Sequence, residues 1–113
     1  MSALMTLKHK EFTSTIELND TKTASAIAKA MPMKAAAEVW KEEIYFEIPV
    51  ARGQERGTAR VQPGDVTYWP PGRCFCVFFG NSQPVSEVTL IGKVESNSKD
   101  FKRVRHGDII TLE

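Results

Sequence analysis

Two groups of residues in this chain have side chains that could do chemistry. The first is the thiol pair Cys74 and Cys76. Two residues apart on a strand, they point the same way. Their Cα atoms would then stand about 7 Å apart, too far for a relaxed disulfide. A structural zinc site takes four ligands, and the only histidines, His9 and His106, lie near opposite ends of the chain. No base sits beside either thiol in sequence to make the thiolate a nucleophile needs. Buried, reduced cysteines are expected, with no metal and no cofactor.

The second group is aromatic. Trp40, the pair Tyr45 and Phe46, and the pair Tyr68 and Trp69 include both tryptophans and both tyrosines of the chain. Glu38, Glu42, Glu43 and Glu47 accompany the first two clusters. Tyr and Trp carry a polar handle that wants a partner or water. One reading places them in the core with the glutamates solvated. The other makes them the walls of a concavity with one or two carboxylates, the usual composition of a small-ligand or peptide site. On a strand Tyr45 and Glu47 share a face opposite Phe46, and Tyr68 and Trp69 must point apart. The expected site therefore has Trp40, Tyr45, Glu47 and one of Tyr68 or Trp69 in its wall, with Glu43 at its mouth. A carboxylate there favours an amide N–H or an amine over an anion. No catalytic constellation accompanies it: there is neither a phosphate-binding loop nor a G-x-S-x-G elbow.

These residues need a scaffold, and 113 residues suit one domain, 1–113. The composition is 42% hydrophobic and 26% charged, ordinary for a globular chain. With 15 basic and 14 acidic residues the net charge is +1, which speaks against a nucleic-acid partner. The local basic cluster Lys99, Lys102, Arg103, Arg105 and His106 reads as a solvated surface near a turn. No stretch approaches the roughly 20 apolar residues of a membrane span. The first residues lack the pattern of a secretion signal, so a cytoplasmic location is expected.

Local patterns then place the elements. Ala3 to Lys8 and the alternating Phe12 to Leu18 form an N-terminal hairpin. Asn19, Asp20 and Thr21 are helix N-cap types. Ala24, Ile27, Ala28 and Met31 follow on one helical face, giving a helix over about 21–30 that Pro32 ends. Two strands with a break at Lys41-Glu42-Glu43 follow. Pro49, Gly53 and Gly57 bracket a charged loop expected to be mobile. Pro63-Gly64 is the centre of a type II turn, and Asp65 to Trp69 is a strand. Pro70-Pro71-Gly72 turns into Cys74–Phe79, apolar on both faces and so a covered central strand. Val88 to Glu95 and Ile109 to Leu112 complete a mainly β chain of about eight strands, with room for a short helix near 99–103. Many short strands between Gly and Pro turns indicate a barrel or sandwich.

The strings WKEEIYFEIPV (Trp40–Val50), GDVTYWPPGRCFCVFFG (Gly64–Gly80) and VTLIGKVES (Val88–Ser96) resemble a family of small single-domain prokaryotic proteins of uncharacterised function with a cyclophilin-like fold. The segments NDTKTA (Asn19–Ala24) and HGDIITLE at the end fit as well, so the likeness covers nearly the whole chain. The resemblance implies a closed eight-stranded β-barrel plugged by a helix. Cyclophilins proper are peptidyl-prolyl isomerases with an arginine beside a proline pocket. Here no Arg occurs between Met33 and Ala51, the position of the family's glutamine falls near Glu47, and Cys76 is nearest the pocket phenylalanine. The candidate binding set is thus Trp40, Glu43, Tyr45, Glu47, Tyr68, Trp69 and Cys76. Its expected partner is a small molecule or short peptide, bound without isomerase activity. The alternative is a weak isomerase that borrows a guanidinium from Arg52, Arg56 or Arg60.

Overall fold

The computed structural model describes residues 3–113. The chain opens with a hairpin of β1 (Ala3–Lys8) and β2 (Thr13–Leu18), paired so that Met5 faces Ile16 and Leu7 faces Ser14. Period-two alternation buries Met5, Leu7, Ile16 and Leu18 on one side. The helix α1 (Lys22–Ala30) follows, with Thr21 as its N-cap accepting from the Ala24 N–H at 3.1 Å. Ile27 is fully buried and Met31 partly buried against the core.

The remaining strands are β3 (Met33–Ala36), β4 (Glu38–Trp40), β5 (Glu43–Glu47), β6 (Gly57–Thr58), β7 (Asp65–Trp69), β8 (Cys74–Phe78), β9 (Val88–Val94) and β10 (Ile109–Leu112). Short 3-10 turns occupy Pro70–Gly72 and Ser98–Arg103, the second where a short helix was expected. Among the described residues the strands number ten rather than about eight. Residues 33–40 divide at the buried Ala37, and Gly57–Thr58 adds a two-residue strand. All pairings are antiparallel, in the order β3-β10-β1-β2-β9-β7-β8-β5-β4, with β6 on β9. The two ends of that path, β3 and β4, are consecutive in the chain. At Ala37, whose N–H donates to Asp108 O and whose C=O accepts from Gly107, the chain leaves β10 and turns onto β5. The sheet is thereby bent into a nearly closed barrel.

The chain 49–57 is tied to α1, to Tyr68 and to β9, where the Glu55 N–H donates to Thr89 Oγ1 at 2.9 Å. Both carboxylate oxygens of Glu55 accept from the start of α1, from the N–H groups of Lys22 (3.0 Å) and Thr23 (2.9 Å). Those bonds hold its carboxyl down at about 2. The Tyr68 hydroxyl donates to Val50 O and accepts from the Arg52 N–H. Among the described residues no helix is long and apolar enough to cross a membrane.

Two apolar layers result. The larger fills the barrel, with Phe46, Phe75, Tyr68, Val77, Ile27 and Phe101 among its members. The smaller lies on the outer face of β5, β8 and β7, where Val61, Cys74, Cys76, Phe78 and Val88 are buried and Tyr45 and Trp69 pack against them. Strand β8 is therefore buried on both faces, as its uninterrupted apolar run requires.

Candidate functional site

The site lies on that outer layer, and strand register dictates its composition. Directly opposed residues of antiparallel strands point to the same side. The outer face consequently carries three rows: Trp40, Glu43 and Phe78; then Glu38, Tyr45, Cys76 and Thr67; then Glu47, Cys74 and Trp69. A concavity of about 240 Å³ opens over these rows. Its walls are Trp40, Glu43, Tyr45, Trp69, Cys74 and Cys76 from the sheet, closed by Val88 and by Pro84 and Val85 from the loop before β9.

That loop is tied down by side chains. The Trp69 indole N–H donates to Ser86 Oγ at 2.7 Å, and Ser82 Oγ accepts from the Glu42 N–H at 3.0 Å. Gln83 bonds Val61 in both directions, accepting from its N–H and donating to its carbonyl. These bonds set Pro84 and Val85 over the sheet. Val85 remains 73% exposed, so the concavity is open on that side.

Glu43 is the chemically distinctive member. Instead of standing at the mouth it is 8% exposed. Burial pushes its carboxyl up to about 7, against a smaller pull downward from the hydrogen bond of the Cys76 thiol. Burial also raises the thiols of Cys74 and Cys76, and neighbouring carboxylates raise both further. Tyr45 is raised for the same two reasons. The result is an apolar, aromatic hollow containing one carboxyl that is half ionised near neutrality. Among the described residues no three His, Cys, Asp or Glu side chains gather in a way that could hold a metal ion.

Five of the seven residues singled out from the sequence converge here: Trp40, Glu43, Tyr45, Trp69 and Cys76. Two do not. Glu47 shares the face of Tyr45 but is exposed at the end of the strand, outside the walls. Tyr68 is fully buried in the barrel interior, its hydroxyl engaged by the 50–52 backbone, so Trp69 is the member of that pair that faces the site. Cys74 was omitted although parity with Cys76 puts it on the same face. Pro84 and Val85 sit on a loop without periodicity and leave no comparable signal.

Comparison with known proteins agrees with this architecture. A family model described as Cyclophilin-like matches residues 4–113. The chain belongs to the cyclophilin-like family. No curated protein matches it. The solution structure of a hypothetical protein from Archaeoglobus fulgidus is similar at a TM-score of 0.84 and 33% identity, covering 99% of this chain and 94% of that one. In this cyclophilin-like protein no arginine among the described residues lines the concavity. Arg56 reaches Asp20 at 3.5 Å, near the helix start, and Arg60 borders a separate hollow with Gln62 and Asp65.

Proposed function

We propose that the protein is a binding module that takes a small molecule, or a short peptide's side chain, between Trp40 and Trp69, and that it does not catalyse prolyl isomerisation. The observation that carries this reading is the burial of Glu43 in an aromatic hollow. A carboxyl placed in an apolar site costs free energy unless it is neutral or paired. A donor-bearing ligand supplies the pairing partner, and the flat rings supply apolar contact at little cost in side-chain freedom. The absence of isomerisation rests on the walls. An isomerase of this fold would stabilise a twisted amide through a cationic donor present in the transition state only, and no arginine stands in the wall to do so.

The test is mass spectrometry of the small molecules that copurify with the protein and are released on denaturation, repeated on Tyr45→Ala. A compound retained by the wild type and lost by a folded Tyr45→Ala supports the reading. No retained compound, or one retained equally by both, overturns it. A proline-peptide assay should show no rate above buffer. A catalysed rate that disappears in Arg52→Ala or Arg56→Ala would install the isomerase instead.

A further inference from the structure

We propose that the ligand of this pocket is a small organic ammonium ion, free in solution, held between aromatic ring faces with Glu43 as its counter-ion. The inference deepens the binding reading above and rests on it. Three rings, Trp40, Tyr45 and Trp69, wall a hollow whose buried acid is Glu43. The negative face of an aromatic ring attracts a cation, Trp most strongly, and desolvation strengthens the attraction. A neutral ligand would use the rings as apolar surface and could at most hydrogen-bond the carboxyl, whereas a cation also offsets its charge. An anion would meet Glu43 and find no basic side chain in the wall.

The surrounding charges point the same way. Facing Glu43 are Cys74 and Cys76 from β8, Tyr45 and Glu47 from its own strand, and Glu38 from β4. β7 contributes Thr67 and Trp69, and the covering loop Pro84 and Val85, none of which titrates near neutrality. Every charge these groups can carry is negative. Glu38 is paired with His106 outside the walls. Lys41 stands beside the site, its Nζ 4.8 Å from the centroid of the Trp40 ring. It is not part of the wall, and it places an ammonium over one of the rings the proposal invokes.

Size selects the source. Drug-sized ligands occupy pockets of roughly 300–1,000 Å³. A hollow of about 240 Å³ is below that range and open on the side of Val85, which suits a compound of a few heavy atoms rather than a folded partner. The cation needs Glu43 ionised, so binding should draw its proton off and strengthen as pH rises.

Both tryptophans of the chain are in the wall, so selectively excited tryptophan fluorescence reports on this site. The experiment titrates the protein with choline and with its uncharged isostere 3,3-dimethylbutan-1-ol at pH 6 and pH 8. Choline is expected to bind at least tenfold more tightly than the alcohol at pH 8. Its affinity should rise roughly tenfold from pH 6 to pH 8 as the ionised fraction grows from about a tenth to about nine-tenths. The alcohol should show no such rise. In Glu43→Gln the pH dependence should vanish and the preference for choline should shrink to what the rings alone supply, while the alcohol still binds. Should Glu43→Gln fail to fold, the wild-type pH profile decides. Equal binding of choline and alcohol overturns the cation and leaves the pocket as a ligand site. No response to either overturns the proposal, while the copurified compound judges the binding reading separately.

Discussion

Trp40 and Glu43 are directly opposed across the β4–β5 hairpin, and Lys41 and Glu42 are the whole turn between them. Lys41 takes the left-handed backbone conformation, φ 52°, that so short a connection demands. Register thus sets a half-buried indole beside a carboxyl that is itself buried. The rest of the site's behaviour follows from that enforced neighbourhood.

The first consequence is for stability. A carboxyl raised from its ordinary 4.5 to about 7 binds its proton more tightly in the folded state than in the unfolded chain. Its stabilising contribution is complete below 4.5. It is lost as pH rises from there through about 7, for a total of about 3 kcal/mol. Urea unfolding at pH 5 and pH 8 should show the protein weaker at pH 8, with most of the difference removed in Glu43→Gln. A stability flat over that range in the wild type would mean Glu43 is not held as the structure holds it.

The Tyr68 hydroxyl tests the anchoring of the 49–57 chain. It donates to Val50 O and accepts from Arg52 N–H, so Tyr68→Phe leaves a buried carbonyl without a donor. The expected loss is about 1–2 kcal/mol, read as a lower urea midpoint at unchanged slope. Amide exchange at Arg52 should quicken. An unchanged midpoint would show that water replaces both bonds.

Glycines separate close approach from open space. A Cβ at Gly92 would overlap the carbonyl oxygen of Glu17 on the neighbouring strand, where backbone cannot give way. Gly92→Ala should cost about 2 kcal/mol or more, or prevent folding. Gly53 has nothing within 4 Å of the same position. Gly53→Ala should fall within about 0.5 kcal/mol of wild type, with a slight gain from the stiffer unfolded chain. Thermal unfolding of the two variants side by side makes the comparison.

What the sequence made legible was local. The N-terminal hairpin, the Thr21 cap with its helix, the Pro63-Gly64 turn with Gly64 at φ 95°, and the two-sided β8 all follow from period and turn chemistry within a few residues. Parity put Glu43 and Tyr45 on one face, and required Tyr68 and Trp69 to part. It could not say which of the latter faced the barrel, because that depends on the register of β7 against β8. The burial of Glu43 was hidden for a related reason. It is produced by Cys76, thirty-odd residues away, and by a loop pinned through Gln83 and Ser86. Glu47, four positions along the same face, lies outside the walls and stays exposed. Glu55 read as part of a mobile charged loop, since its partners at the start of α1 lie 32 and 33 positions earlier in the chain.

The thiols offer the last test, because they line the concavity yet are nearly covered. Cys76 is 2% exposed and Cys74 8%. Burial raises both, and the carboxyl of Glu43 adds to the effect at each, with Glu47 adding at Cys74. The thiolate is the reactive species. Each unit by which a thiol is raised lowers its thiolate fraction about tenfold near neutrality. The native protein at pH 7.5 should therefore react with an alkylating reagent more slowly than a free thiol, while denaturant should release both cysteines at once. Cys74 should be the faster of the two, being less covered and closer to the exposed 3-10 turn, where its Sγ lies 3.3 Å from Gly72 O. A ligand seated between Trp40 and Trp69 should slow it further. Fast stoichiometric labelling of Cys76 in the folded protein would show that the floor of the pocket opens, and with it that the burial of Glu43 is not maintained in solution.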